Sequence, residues 1–224
     1  MALNINSFKT GSSVPPMEAG TYPAVCYVVA DLGVQPTTYD GQEKHVHQVL
    51  ISWEFPDELI EYQGEMKPRV MSQTFTASTS EMSKLRKWLK SWRGRDFTAA
   101  ELADFNIANV LGAPCLLSIT QTEKNGNVYA NISGISKAMK GQEVKPPTKK
   151  VHFDIDEQDT WPDFAHLPEW VQRKINESLT LKERGIIFDS NGNAIDSLAG
   201  ISSTPIDTAN VFTEITDDGE DLPF

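Results

Sequence analysis

The chain has 224 residues, 39% of them hydrophobic, and a formal net charge of −11. That is enough apolar material for one ordinary domain with extra segments or for two small ones, and with no uninterrupted apolar run near ~18 residues no membrane-spanning helix is expected. The charge is uneven. Residues 1–140 hold 13 Lys and Arg against 14 Asp and Glu, residues 141–150 are net +2, and residues 151–224 hold 4 against 16. This asymmetry fits a nucleic-acid-binding body with an acidic tail, or a body with a merely solubilising tail.

Residues 1–19 read as an arm. Their opening, "MALNINSFKTGSSVPP", has one Lys and no apolar stretch, so no secretory leader is expected. Cys26 and Cys115 stand far apart in apolar, strand-like contexts and read as reduced core residues of a cytoplasmic protein. "GTYPAVCYVVADLGV" (20–34) is rich in β-branched and aromatic residues and predicts a strand. Residues 35–43 read as a loop with Asp-Gly turn chemistry. Residues 44–55 predict a second strand. His47, Val49, Ile51, Trp53 and Phe55 share one face of it, and Val46, Gln48, Leu50, Ser52 and Glu54 the other. Residues 56–68 read as a polar connection and 69–78 as a third strand.

The period then changes. Over residues 79–94, Met82, Leu85, Trp88, Leu89 and Trp92 fall at helical spacing, with Ser80 as N-cap and Gly94 just past the end. Residues 96–112 predict a shorter helix or two turns, opened by a Thr98–Glu101 capping box. Two strands, 113–123 and 127–137, are joined through Asn125-Gly126, a strong hairpin signal. Strand, strand, strand, helix, strand, strand is the element order of the five-stranded Greek-key oligonucleotide/oligosaccharide-binding (OB) barrel. The fold class expected is therefore mainly β: an OB-fold barrel over residues 20–140, with its ligand face on strands 2 and 3 and the loops after strands 1 and 4.

Beyond it, residues 141–189 read as a Lys/Pro linker and one amphipathic helix. Pro168 stands in its first turn, and Trp170, Val171, Ile175 and Leu179 form the stripe that docks on the barrel or on a second subunit. Residues 190–224 read as a disordered acidic tail.

Few residues suggest chemistry. His45 and His47 share a strand face, but zinc needs at least a third protein ligand. Asp154, Asp156, Glu157 and Asp159 could be a nuclease's carboxylate cluster or a solvated connector. No nucleotide-loop, nucleophile-elbow or zinc-protease motif is present, so no catalytic residue, metal or cofactor is expected. Single-strand binding requires cations tracking phosphates and aromatic faces for bases. The candidates are Tyr39, Trp53, Phe75 and Tyr129 for stacking, with Trp53 and Phe75 equally readable as core. Lys44, His47, Lys67, Arg69, Arg93, Arg95 and Lys124 are the candidates for the backbone. The cations of residues 84–95 read equally as a solvated helix face.

The chain ends "DDGEDLPF": Asp217, Asp218, Glu220 and Asp221 lead to Leu222, Pro223 and Phe224. An acidic tip closing on Pro-Phe after a flexible stretch resembles that of the single-stranded DNA-binding proteins of bacteria and their phages. The body segments "LRKWLKSWRGRDFT" and "NVLGAPCLLSITQTEKNGNVYANI" are similar to the phage-encoded members. The resemblance implies a non-enzymatic protein of the host cytoplasm that coats single-stranded DNA in replication, recombination and repair. It implies that the seven tip residues dock on replication or recombination proteins. It leaves a homodimer or higher oligomer open. A protein-only adaptor and a metal-dependent nuclease are the alternatives.

Overall fold

The computed structural model describes residues 15–39, 41–62 and 64–197. Its element order is β1 (Gly20–Tyr39), β2 (Gln42–Tyr62), β3 (Glu65–Thr76), α1 (Lys84–Arg93), α2 (Ala99–Ala103), a 3-10 turn (Ile107–Val110), β4 (Pro114–Lys124) and β5 (Asn127–Lys137). The C-terminal part follows with β6 (Val151–Phe153), a 3-10 segment (Gln158–His166), α3 (Glu169–Asn176), α4 (Leu179–Arg184), β7 (Ile186–Phe188) and β8 (Ala194–Asp196). The protein is mainly β. No helix among the described residues is long and apolar enough to cross a membrane.

The five expected strands form one antiparallel path, β3-β2-β1-β4-β5. The expected closed barrel is not what forms, because no pairing joins β3 to β5 among the described residues. Side chains take the place of the missing ladder. From α1, Ser91 donates to the carbonyl of Ile135 on β5, and Trp92 Nε1 donates to that of Pro114 on β4. Arg69 on β3 donates to the carbonyl of Pro15, and Gln121 on β4 to that of Met17, so residues 15–17 touch both β3 and β4.

The strands outrun their expected ends. Residues 35–39 and 56–62 belong to β1 and β2, and the hairpins turn at Gly41 and Gly64. Polar sequence hid these extensions, since a ladder of backbone hydrogen bonds continues past the core without apolar alternation. Helix α1 starts later than expected: Ser83, not Ser80, accepts the cap bond, from the Arg86 amide. It ends at Gly94 as expected, in the left-handed conformation that glycine adopts freely. Thr98 and Glu101 form the expected capping box.

Two cores share β1. Ala24, Cys26 and Val29 face inward with Val49, Ile51, Trp53 and Phe55 of β2 and with Leu85, Leu89 and Trp92 of α1. Tyr27, Val28, Ala30 and Leu32 face the other way, against Phe153, Phe164, Val171, Ile175, Leu181 and Phe188. Register shifts between Cys26 and Val28 and between Asp31 and Gly33 let one strand serve both sides. Cys26 and Cys115 are free and buried, and burial pushes both thiols up, which suits inert core residues.

The outer core corrects the reading of the C-terminal part. β6 runs parallel to β1 from Val28 to Ala30, and the single expected helix is two, broken where buried Ser178 caps α4. Val171 and Ile175 dock on β1 as expected, while Trp170 is exposed. Gly33, at φ 67°, meets this unit so closely that a Cβ would stand 2.9 Å from Ser178 Oγ. The disordered tail expected over 190–224 is corrected for residues 190–197, and the rest of it lies outside the described residues. β8 pairs with β7 across a turn in which the Asp189 carboxylate accepts the Asn191 and Asn193 amides.

Candidate nucleic-acid interface

Three hairpin arms leave the sheet. The β2–β3 and β4–β5 arms depart from the Gly20 end of β1, and the β1–β2 arm from the opposite end. On the β2–β3 arm, alternation places Lys67 and Arg69 on the face that holds Met71 and Phe75 further along β3. Tyr62, opposite Glu65, joins them at 47% exposed, and its ring lies 5.8 Å below Lys67 Nζ. Sequence reasoning missed Tyr62 because its segment read as a loop. Lys67 also pairs with Glu65 at 2.9 Å. On the β4–β5 arm Tyr129 is 43% exposed and shares a face with Lys124. That face is opposite to the one continuing from Ile119 and Ile132 into the core. The two arms thus carry the expected chemistry, one aromatic with one or two cations each, on different faces. Lys44 and Tyr39 fall on the third arm, at the far end of β1.

Two expected stacking residues are corrected. Trp53 is 0% exposed and Phe75 is 2% exposed, so neither offers a face to a base. Trp53 stands 5.8 Å from Trp92 and 6.1 Å from Trp88, and Trp88 stands 5.1 Å from Phe75. The cluster seals the sheet under α1 and leaves Trp53 Nε1 without a hydrogen-bond acceptor among the described residues. Period-2 alternation could not separate this from stacking, since both faces of an isolated strand look alike until the helix lands on one.

The cations at the end of α1 are engaged. Arg93 and Arg95 both bind Glu101, Arg95 at 2.6 Å, and Arg93 lies 4.3 Å from the Phe97 ring centre. The guanidinium of Arg95, then that of Arg93, holds the Glu101 carboxyl well below the usual carboxylate range. Lys90 pairs with Asp96 at 2.9 Å and Arg86 with the same carboxylate at 3.5 Å. The capping-box Glu101 and Asp96 together build this belt of ion pairs, which engages the charge expected to meet phosphate.

The histidines are paired too: His45 with Glu43 at 3.1 Å and His47 with Asp31 at 2.5 Å. The hydrogen bond from Asp31 raises the His47 pKa, with Asp154 and Asp156 adding to it. Of the acidic connector, Asp156 binds Arg184, while Asp154, Glu157 and His152 place one ligand atom each within 4.8 Å of one another.

Half of the expected ligand face is covered. On β2 the outward Leu50, Ser52 and Glu54 are buried, Leu50 in the outer core, and the supposed linker reaches Glu54 as a strap. Lys145 pairs with Asp57 at 2.7 Å, and Thr148 donates to Glu54 from both its amide and its hydroxyl, the latter at 2.6 Å. The outward face of β3 stays open, with Met66, Val70, Ser72 and Thr76 exposed. The tip, Asp217 to Phe224, lies outside the described residues. Compared with models of known protein families and with curated proteins, the chain matches none.

Proposed function

We propose that this chain is a non-enzymatic single-stranded DNA-binding protein whose sheet is an OB-type barrel left unzipped between β3 and β5. The observation that carries the reading is the strand path β3-β2-β1-β4-β5 with α1 inserted after β3. An OB barrel follows the same path until its last seam closes. Exposed Tyr62 and Tyr129, with Lys67, Arg69 and Lys124 beside them, support it. Each base stacked on such a ring is worth ~1–3 kcal/mol whatever its identity, and cations meet a uniform backbone. Lys44, His47 and Tyr39 extend the path along the β1–β2 arm. In this reading the protein coats and protects single strands in phage replication and recombination in the host cytoplasm. Asp217, Asp218, Glu220, Asp221, Leu222, Pro223 and Phe224 capture partner proteins, their carboxylates meeting a basic pocket and the Phe ring anchoring in it.

A titration against oligo-dT and against duplex at two salt concentrations tests it. Single strands should bind more tightly, and salt should weaken the complex through counterion release. Equal affinity for duplex at ~150 mM salt overturns the reading, and no binding at all leaves the protein-only adaptor. One observation favours a nuclease instead, the convergence of His152, Asp154 and Glu157. Incubating labelled strand with Mg2+ or Mn2+ should leave it intact, whereas cleavage that Asp154→Ala abolishes would establish the rival.

A further inference from the structure

Among the described residues, three lysines near the α1–α2 ion-pair belt have no acidic partner. Lys137 ends β5, Lys140 follows it, and Lys150 ends the strap. None of the three is in an ion pair with a described carboxylate. The fold gathers them at one place. Lys137 and Lys140 line a cleft of about 1140 Å³ whose wall includes Ala113 and Pro114. Lys150 arches over the adjacent Gly112, its Nζ 2.7 Å from where a Cβ on that glycine would stand. The cleft floor is apolar: Phe97, Phe105 and Val110 line it together with Met139, which is 63% exposed.

We propose that this cleft is a second strand-binding subsite, which takes a stretch of two or three nucleotides. Lys137, Lys140 and Lys150 contact the phosphates, and Phe105 and Met139 receive the bases. The inference rests on the single-strand reading above and names where phosphate contacts beyond the arms are made. Charge availability decides between the two cationic groups near α1. To meet phosphate, Arg93 and Arg95 must give up Glu101, whereas the three lysines have no ion pair with a described residue to break. The same cleft could be offered an acidic peptide, and the tip is one. The cleft lining also carries Arg93, held by Glu101, and the carboxylates of Glu101 and Asp104. A strand brings one charge per nucleotide and can set it on the lysine side. Asp217 to Asp221 bring four carboxylates in five residues to a cleft that already holds Glu101 and Asp104.

The test compares full-length wild type, the triple variant Lys137→Glu/Lys140→Glu/Lys150→Glu, and Arg93→Gln/Arg95→Gln, each with its melting temperature recorded. The readout is the salt dependence of oligo-dT affinity. Losing three phosphate contacts lowers the slope by about two units for a single strand, while the arginine variant, which keeps all three lysines, should lose less than the triple variant. Photo-crosslinking with 5-iodouracil-substituted oligonucleotide should label Phe105 or Met139, as read by peptide mass spectrometry. A folded triple variant with the wild-type slope and no label in the cleft overturns the proposal and leaves the single-strand reading intact. So does capture of a peptide of residues 215–224 by wild type but not by the triple variant, with DNA binding equal in both. If the triple variant is unfolded, the crosslink site alone decides. If wild type binds no strand, the broader reading has failed and the subsite with it.

Discussion

The two cores on either side of β1 are built from different kinds of sequence. The inner one gathers long strands and an amphipathic helix around Trp53, Trp88 and Trp92. The outer one is assembled from pieces of three to nine residues, held by Phe153, Phe164 and Phe188 with centroids 5.1–5.4 Å apart. Each piece of the outer unit is too short to be stable alone, since isolated helices below about 12 residues are marginal and an isolated hairpin is no better. What orders them is the apolar outward face of β1, with Leu50 of β2 beside it. A strand whose two faces are both apolar is therefore asking for two layers, and its second layer need not show any period of its own.

The largest effects should come from the residues at the centre of each layer. Trp53→Ala and Phe153→Ala each remove a fully buried ring and should cost about 3–5 kcal/mol, read by denaturant melts. The comparison sharpens in hydrogen exchange. Phe153→Ala should deprotect amides of 151–197 while leaving β4 and β5 protected, whereas Trp53→Ala should deprotect both layers. If Phe153→Ala loosens β4 and β5 as much as α3, the two cores are one cooperative unit and the distinction fails.

A smaller effect belongs to the strap. Glu54 is 3% exposed and accepts bonds from Thr148 alone among its described partners. Thr148→Val keeps the amide bond and removes the hydroxyl bond to a charged group, so it should cost about 1.5–3 kcal/mol. Glu54→Gln in the same background should recover part of the loss, because a neutral amide needs less compensation when buried. A neutral Thr148→Val would mean the strap rests on the outer layer without anchoring it.

The smallest concerns His47 and Asp31, at the margin where the layers meet. The folded state raises the His47 pKa above its ordinary 6.5, first through the hydrogen bond to Asp31. Its contribution to stability is therefore fully present below about pH 6.5 and fades as pH rises through the raised value. Denaturant midpoints at pH about 6 and about 8 should differ more in wild type than in Asp31→Asn. Equal differences in the two proteins would assign the pH dependence to other groups.

Much of the inner layer was legible in the residues. Alternation on β2 named Val49, Ile51, Trp53 and Phe55 as one face, Asn125-Gly126 named a hairpin, and Gly94 and the Thr98–Glu101 box named helix ends. These are signals with ranges of a few residues, set by steric limits on φ and by local hydrogen bonding, so a linear string contains them. Long-range matters were not in the string. Whether Trp53 faces a base or a helix depends on where α1 lands, 31 or more residues away. Whether Arg93 and Arg95 are free depends on Glu101 folding back between them. The strap looked like a linker because Lys and Pro dominate it, yet Thr148 finds Glu54 ninety-four residues earlier in the chain. Strand order, turns, caps and the uneven charge could be read from residues a few positions apart. Only the tertiary structure decided which cations stay unpaired, which aromatics stay open and which face of the sheet is covered, because each depends on what a distant segment places against it.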